Sequence, residues 1–186
     1  MPSSSLPPIV QALIDRQAIL DCIHAYARGV DRCDRDLLNS VYHEDAWDDH
    51  AVFCGPAADF IEWAFAYHEK YLISHQHYVL NHTCELRGAV AHTETYFIFA
   101  GRNREGPPVT LLGGRYLDRF EKRAERWAIA ARKCLVEWNG SLNDIKHHPD
   151  WLAALHSSGR SARSPEDTSY ERPLQVTRPA HTVAPY

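Results

Sequence analysis

The sequence predicts an α+β fold, and two observations support this class. The predicted elements run from helices through one strand and one more helix to four consecutive strands, and helices separated from a run of strands are typical of α+β proteins. Short links join the last four strands, namely Gly88, "GRNREGPP" and "EKRAER", which favours antiparallel pairing. The 186 residues are 45% hydrophobic, enough for one domain with a sizeable core and a tail.

The first element is an amphipathic helix that is predicted to begin at Ile9. It follows a Ser- and Pro-rich segment, residues 1–8, which is predicted to be disordered. Its apolar stripe recurs at spacings of three and four residues and consists of Ile19, Ile23, Tyr26 and Val30. Asp31 falls on the adjacent row with Leu20 and Ala27. We therefore expect Asp31 at the border of the buried face.

The middle of the chain predicts a short helix, a strand and a third helix. The short helix is expected over residues 36–42, and the strand over 47–53, ended by the Gly-Pro pair in "VFCGP". Asp59 is the predicted N-cap of the third helix. The apolar face of that helix carries Ile61, Ala64, Phe65, Tyr71 and Leu72.

The second half of the chain predicts four strands and then an extension. Alternating and apolar runs place the strands at residues 75–86, 90–100, 110–120 and 127–138. The domain is predicted to span residues 9–140. The extension, residues 141–186, predicts one short helix in "HPDWLAAL", followed by a Ser-, Arg-, Pro- and Thr-rich tail that is mobile or drapes over a neighbouring subunit.

Composition excludes several classes of function. The net charge of −4 and the lack of a long basic run argue against nucleic acid as a partner. The apolar runs are too short to span a membrane, and the N-terminus carries no recognisable secretory signal. GxGxxG, GxxxxGK[ST], GxSxG and HExxH motifs are absent. An enzyme with this sequence is therefore expected to work without a cofactor.

Five scattered cysteines form no CxxC pair, and they are Cys22, Cys33, Cys54, Cys84 and Cys134. An odd number of unclustered cysteines favours reduced thiols in a cytoplasmic protein. A cysteine nucleophile is the less favoured alternative, because buried structural thiols are common.

Histidines are most dense in the predicted strand "SHQHYVLNH". Strict alternation would place His75, His77 and Asn81 on one face, with Tyr78 and His82 on the other. The His-x-His spacing is compatible with zinc, but the sequence identifies no third ligand. Histidines that are hydrogen-bonded within the sheet are the favoured alternative, so no metal is predicted.

Arg132 lies among small apolar residues in "WAIAARKCLVEW". Burying an arginine is costly unless it is paired. Arg132 is therefore expected either to reach water at a sheet edge or to face a cavity, paired with a carboxylate or with substrate charge. For aspartate and histidine together, the natural chemistry is proton transfer.

Four stretches resemble the SnoaL-like branch of the NTF2-like superfamily over residues 10–140. They are "DRQAILDCIHAYARGVDRCD", "LLNSVYHEDAWDD", "HYVLNHTCEL" and "LLGGRYLDRFEKRAERWAIAARK". The resemblance is to the group of hexachlorocyclohexane dehydrochlorinase, scytalone dehydratase and bile acid 7α-dehydratase. It implies an NTF2-like cone, with N-terminal helices packed on a strongly curved, mostly antiparallel sheet and a pocket between them.

The same resemblance implies a set of catalytic residues. Asp31 matches the aspartate that ends the first helix, His77 the strand histidine and Arg132 the arginine of the last strand. Asp31 is then expected to turn inward, with Asp34 and Asp36 as the solvated helix end and cap. His77 would be the general base and Asp31 its orienting partner. Arg132 would hold an anion.

Tyr26 matches a tyrosine of the bile acid dehydratase at a position where the dehydrochlorinase has lysine, so dechlorination is not expected. Tyr26 would protonate or polarise an oxygen. Trp47, His50, Tyr78 and Asn81 are weaker candidates for substrate binding. For Trp47 and Tyr78, a core position is the favoured alternative.

The resemblance and the residues together predict a cofactor-independent lyase. The expected reaction is elimination, either dehydration or retro-aldol loss of formaldehyde, on a hydrophobic, hydroxylated aromatic small molecule. An isomerase, cyclase or epoxide hydrolase is one alternative, because the superfamily hosts them all. A non-catalytic binding module, or an accessory protein like a dioxygenase small subunit, is the other. A homo-oligomer is expected, with a trimer favoured over a dimer.

Overall fold

A computed structural model describes residues 6–142, 159–171, 173 and 175 of the chain. The chain divides into two compact units, Met1–Leu142 and Asn143–Tyr186. Over residues 6–142, the first unit contains three helices and six strands. They are α1 (Pro8–Arg32), α2 (Arg35–Ser40), β1 (Tyr42–Asp49), β2 (Cys54–Pro56), α3 (Ala57–Tyr71), β3 (Leu72–Arg87), β4 (Val90–Asn103), β5 (Val109–Arg123) and β6 (Arg126–Leu142).

The six strands form one sheet in the order β2-β1-β6-β5-β4-β3. All neighbours are antiparallel except β1 and β6, which run parallel. Helix α1 contacts β3 at one edge and also β6, so the sheet curls around the helix. The predicted α+β class and the curved, mostly antiparallel sheet are confirmed.

Helix α1 buries the predicted stripe. Ile19, Ile23, Tyr26 and Val30 are each at most 1% exposed. The helix ends at Cys33, which adopts a left-handed conformation with φ 51°. Asp34 then caps α2, because its carboxylate accepts a hydrogen bond of 3.0 Å from the backbone N–H of Leu37. The helix predicted over residues 36–42 begins at Arg35 and ends at Ser40.

Two element boundaries differ from the prediction. Strand β1 begins at Tyr42, five residues before the predicted start, because Tyr42 pairs with Ile129 of β6. Asp59 is not an N-cap. Pro56 is the N-cap residue of α3, and Asp59 lies in the first turn. A negative charge there interacts favourably with the positive end of the helix dipole. Ile61 is buried as predicted.

The face of β3 changes along its length. Strands β3 and β4 shift register between Val79 and His82, and such a shift reverses the alternation of side chains. His82 therefore lies on the inner face, where its Nδ1 is 2.9 Å from the hydroxyl oxygen of Thr95, and Asn81 is exposed. The predicted faces of Asn81 and His82 were wrong for this reason.

The second unit is described only over residues 159–171, 173 and 175. A short 3-10 helix spans Thr168–Tyr170, and Asp167 accepts a hydrogen bond from the backbone N–H of Ala162. The helix predicted in "HPDWLAAL" and residues 1–5 of the predicted disordered segment lie outside the described residues. Among the residues that are described, no helix has both the length and the apolar character needed to cross a bilayer.

Candidate active site

Asp31 and His77 meet where the last turn of α1 lies against β3. The Nδ1 atom of His77 is 2.6 Å from Oδ1 of Asp31. The same carboxylate accepts the backbone N–H of His77 at 3.0 Å. A carboxylate accepts only, so Nδ1 carries a proton, and in the neutral imidazole Nε2 then keeps its lone pair. The side chains of Asp31 and His77 are 13% and 9% exposed, so the pair is largely desolvated without being sealed.

Aromatic rings surround this pair. Phe99 lies edge-on to the ring of His77 at a centroid distance of 5.0 Å, and Tyr26 lies 6.5 Å away. Tyr26 is 1% exposed, and burial raises the pKa of its hydroxyl well above the ordinary value, against the opposing effect of Arg132. Tyr26 therefore carries a neutral O–H that can donate a hydrogen bond.

A second aspartate–histidine pair lies on β1 and just beyond its end. Asp48 is fully buried. One of its carboxylate oxygens accepts the hydroxyl of Tyr42 at 2.6 Å, and the other is bonded to Nδ1 of His50. The ring of His50 stacks on Phe60 at 4.3 Å, and Nε2 of His50 is 3.4 Å from the hydroxyl oxygen of Tyr26.

Arg132 forms a buried ion pair with Asp118. The guanidinium makes two hydrogen bonds to the carboxylate, at 2.7 and 2.8 Å, and neither side chain is exposed. The rings of Tyr26 and Tyr116 cover the guanidinium at 4.0 and 4.3 Å. Burial alone would lower the pKa of Arg132, but the Asp118 carboxylate raises it well above the ordinary value.

The sequence predicted that a buried Arg132 would pair either with a protein carboxylate or with substrate charge. The structure shows the first of these, the carboxylate of Asp118. The guanidinium is 0% exposed, and its Nη1 atom has no hydrogen-bond partner among the described residues. The role of holding a substrate anion therefore stays a prediction.

Three of the four predicted substrate-binding residues have exposed side chains. Trp47 is 52% exposed and its indole N–H donates to Sγ of Cys54. Tyr78 is 48% exposed and its hydroxyl donates to Gln76. Asn81 is exposed because the register shift in β3 turns its side chain away from the inner face. Of the four, only His50 contacts the buried groups Tyr26 and Asp48. We therefore leave Trp47, Tyr78 and Asn81 out of the candidate site.

Sequence analysis missed Asp48, Asp118, Tyr42 and Tyr116. A signal existed for Asp48, because "DDH" places Asp48 and His50 two residues apart in or beside a strand, and thus on one face. No signal pointed to Asp118, since its partner Arg132 comes from the neighbouring strand.

Asp31, His75 and His77 form a cluster that could hold a metal ion, with ligand atoms within 4.8 Å of one another. Each already has a hydrogen-bond partner. His77 is bonded to Asp31, and Nε2 of His75 is 3.1 Å from the carbonyl oxygen of Val30. A divalent cation would have to replace these bonds.

The buried thiols are poor nucleophiles. Burial raises the pKa of Cys22 to about 12 and that of Cys134 to about 12. Thiolates are therefore scarce at these two positions at neutral pH.

The fold and the buried polar cluster together define an NTF2-like protein, a helix-filled α+β cone with polar groups on the inner face of its sheet. A family model, the SnoaL-like domain, matches residues 11–133. The chain belongs to the SnoaL-like family, as the sequence resemblance predicted.

Solved structures of this class resemble the chain in fold. A hexachlorocyclohexane dehydrochlorinase of type 2 is 20% identical with a TM-score of 0.69, over 75% of this chain and 97% of that one. The type 3 enzyme from Novosphingobium barchaimii LL02 is 19% identical with a TM-score of 0.68, over 75% and 98%. A provisionally assigned scytalone dehydratase from Novosphingobium aromaticivorans is 16% identical with a TM-score of 0.64, over 72% and 91%. No curated protein matches the sequence.

Proposed function

We propose that the protein is a cofactor-independent lyase that performs elimination on a hydrophobic, hydroxylated, ring-bearing small molecule. The observation that carries this proposal is the hydrogen bond of 2.6 Å between Asp31 and Nδ1 of His77, because it leaves Nε2 able to accept a proton. Positioned acid–base catalysis of this kind contributes about two to four powers of ten in rate. The dehydratase and dehydrochlorinase names among proteins of similar fold agree with it.

In dehydration, Nε2 of His77 removes a proton from the carbon next to the one that bears the hydroxyl. The Asp31 carboxylate stabilises the imidazolium that forms. The Tyr26 hydroxyl protonates the leaving oxygen. In loss of formaldehyde, His77 instead takes the hydroxyl proton, and the oxygen forms the carbon–oxygen double bond of formaldehyde as the carbon–carbon bond breaks. The electron pair of the broken bond stays on the remaining carbon, which takes the proton back from the imidazolium of His77. The rings of Phe99 and Tyr26 beside His77 favour a ring-bearing substrate.

A panel of aryl-substituted and alicyclic alcohols tests this function. After dialysis against a chelator, the protein is incubated with the panel, and mass spectrometry is expected to detect a product lighter by one water or one formaldehyde. His77→Gln is expected to lower this turnover by about a hundredfold or more. His92→Gln, at an exposed position of β4, is the matched control.

A product of unchanged mass would indicate an isomerase instead. Full turnover by a folded His77→Gln variant would rule out His77 as the base.

We also propose a homo-oligomer, with a trimer favoured. Large apolar side chains remain exposed on the first unit, and they include Trp47, Tyr78, Leu80, Tyr96, Val136 and Trp138. Contact between subunits would remove such apolar side chains from water, which favours association. Light scattering of the native protein measures the state, and a monomeric mass would contradict the proposal.

A further inference from the structure

Tyr26 also contacts a second aspartate–histidine pair, Asp48–His50. The mechanism proposed above, with His77 as base and Tyr26 as acid, assigns no role to this pair. We propose that His50, held by Asp48, is a proton relay that supplies Tyr26, so that Tyr26 acts as the general acid of the reaction. The inference rests on the proposed lyase function and adds the source of the proton that its acid, Tyr26, regains. His50 acts through Tyr26 and is therefore a positioning and relay residue.

Hydrogen bonds fix the orientation of this pair. The buried Asp48 carboxylate accepts the hydroxyl of Tyr42 on one oxygen and binds Nδ1 of His50 with the other. The bond at Nδ1 leaves Nε2 of His50 facing the hydroxyl oxygen of Tyr26 at 3.4 Å. Stacking on Phe60 at 4.3 Å, with an interplanar angle of 19°, holds the imidazole plane.

Tyr26 thereby connects the two pairs. Its hydroxyl faces His50, and its ring lies 6.5 Å from the ring of His77. The ring of Tyr116 lies 6.0 Å from the ring of His50. Arg132 contacts Tyr26, and its charge is paired with Asp118. Among the described residues near it, Asp48 is therefore the carboxylate placed to stabilise an imidazolium at His50.

The chemistry explains why Tyr26 needs a relay. Burial raises the pKa of Tyr26, so a tyrosinate left in this site would be costly. A protonated His50 avoids this cost, because its Nε2–H donates to the Tyr26 oxygen while the Tyr26 O–H donates to the leaving oxygen.

The dehydration step balances as follows. The carbon–hydrogen bond breaks, its proton goes to Nε2 of His77, and its electron pair forms the new double bond. The carbon–oxygen bond breaks, and its electron pair leaves with the oxygen, which takes the Tyr26 proton and departs as water. Tyr26 regains a proton from His50. Exchange with solvent then resets both imidazoles, whose side chains are 9% and 15% exposed in His77 and His50.

The test compares two leaving groups on one carbon skeleton. An alcohol turned over in the panel is paired with its acetate ester, because acetate leaves as a stable anion and needs no proton. We expect His50→Gln to lower kcat on the alcohol by about a hundredfold and on the ester by less than about threefold. An equal loss on both substrates, or no loss on either, would overturn the relay. His77→Gln is expected to lower both rates, and its failure to do so would count against the proposed function alone.

A measurement without substrate completes the test. In ¹⁵N-labelled protein, His50 is expected to show a proton on Nδ1 with the low-field shift of a strong hydrogen bond. Asp48→Asn should remove that signal, and Tyr26→Phe should shift the Nε2 resonance of His50 while leaving that of His92 unchanged. A His50 protonated on Nε2 alone in the neutral form, or a Nε2 resonance insensitive to Tyr26→Phe, would overturn the inference.

Discussion

Replacing Asp31 by asparagine is expected to lower kcat by about two to four powers of ten while the protein stays folded. The reason is the tautomer of His77. An asparagine at position 31 can still accept the backbone N–H of His77 through its amide oxygen. Its amide nitrogen is a donor, however, and it would then face Nδ1, which must become the acceptor. The ring proton moves to Nε2, and the base loses the lone pair that takes the substrate proton.

Turnover of the panel substrate and thermal unfolding of the Asp31→Asn variant measure this effect. Asp34→Asn is the matched control, since it removes the same charge from the same helix end. Asparagine also caps helices well, so the hydrogen bond to Leu37 should survive. We expect the control to keep its activity within about twofold. An Asp31→Asn variant that is as active as Asp34→Asn would eliminate the assigned role of Asp31.

The substitution Asp118→Ala is expected to reduce the free energy of unfolding by about 3 to 5 kcal/mol. It removes the partner of a guanidinium that is 0% exposed, and burying an unpaired charge is among the costliest single changes in a protein interior. Since domains of this size are stable by only about 5 to 15 kcal/mol, the variant should unfold at markedly lower urea concentration.

Two further variants make this stability test specific. Asp45→Ala removes one partner of the exposed pair between Asp45 and Arg123 and should cost far less than Asp118→Ala, because exposed ion pairs contribute little to stability. The double variant Asp118→Ala with Arg132→Met removes both buried charges and should recover much of the loss. Two results would contradict this account: an Asp118→Ala variant that loses no more stability than Asp45→Ala, or a double variant that is less stable than Asp118→Ala. Either result would mean that leaving Arg132 without its partner is not what destabilises the protein.

The sequence predicted the helix side of the site better than the strand side. Helical spacing placed Tyr26 and Asp31 correctly because α1 is regular over 25 residues, so its period persists up to the site. On β3 the same kind of argument succeeded for His77 and failed for Asn81 and His82, because a register shift leaves no mark in the alternation of residue types.

Strand β1 shows a second reason for failure. Trp47 was a weaker candidate for substrate binding, with a core position favoured, but it is exposed, and the inner face of β1 carries Ala46 and Asp48. An aspartate in "DD" is typical of a solvated turn, and only the neighbouring strand reveals that it is buried. The partner of Arg132 was hidden in the same way, because pairing between β5 and β6 depends on register, which a single sequence does not specify.

The parallel pairing of β1 with β6 has a consequence for the route by which the chain folds. Strands β3 to β6 form a meander of local pairings, whereas Tyr42 and Arg126, which meet at the start of β1, are 84 residues apart. Closing so large a loop costs entropy before it yields contacts. We therefore expect β1 to dock late, after the meander has formed, and a nascent chain still lacking β6 would expose its early strand to chaperones or to other chains.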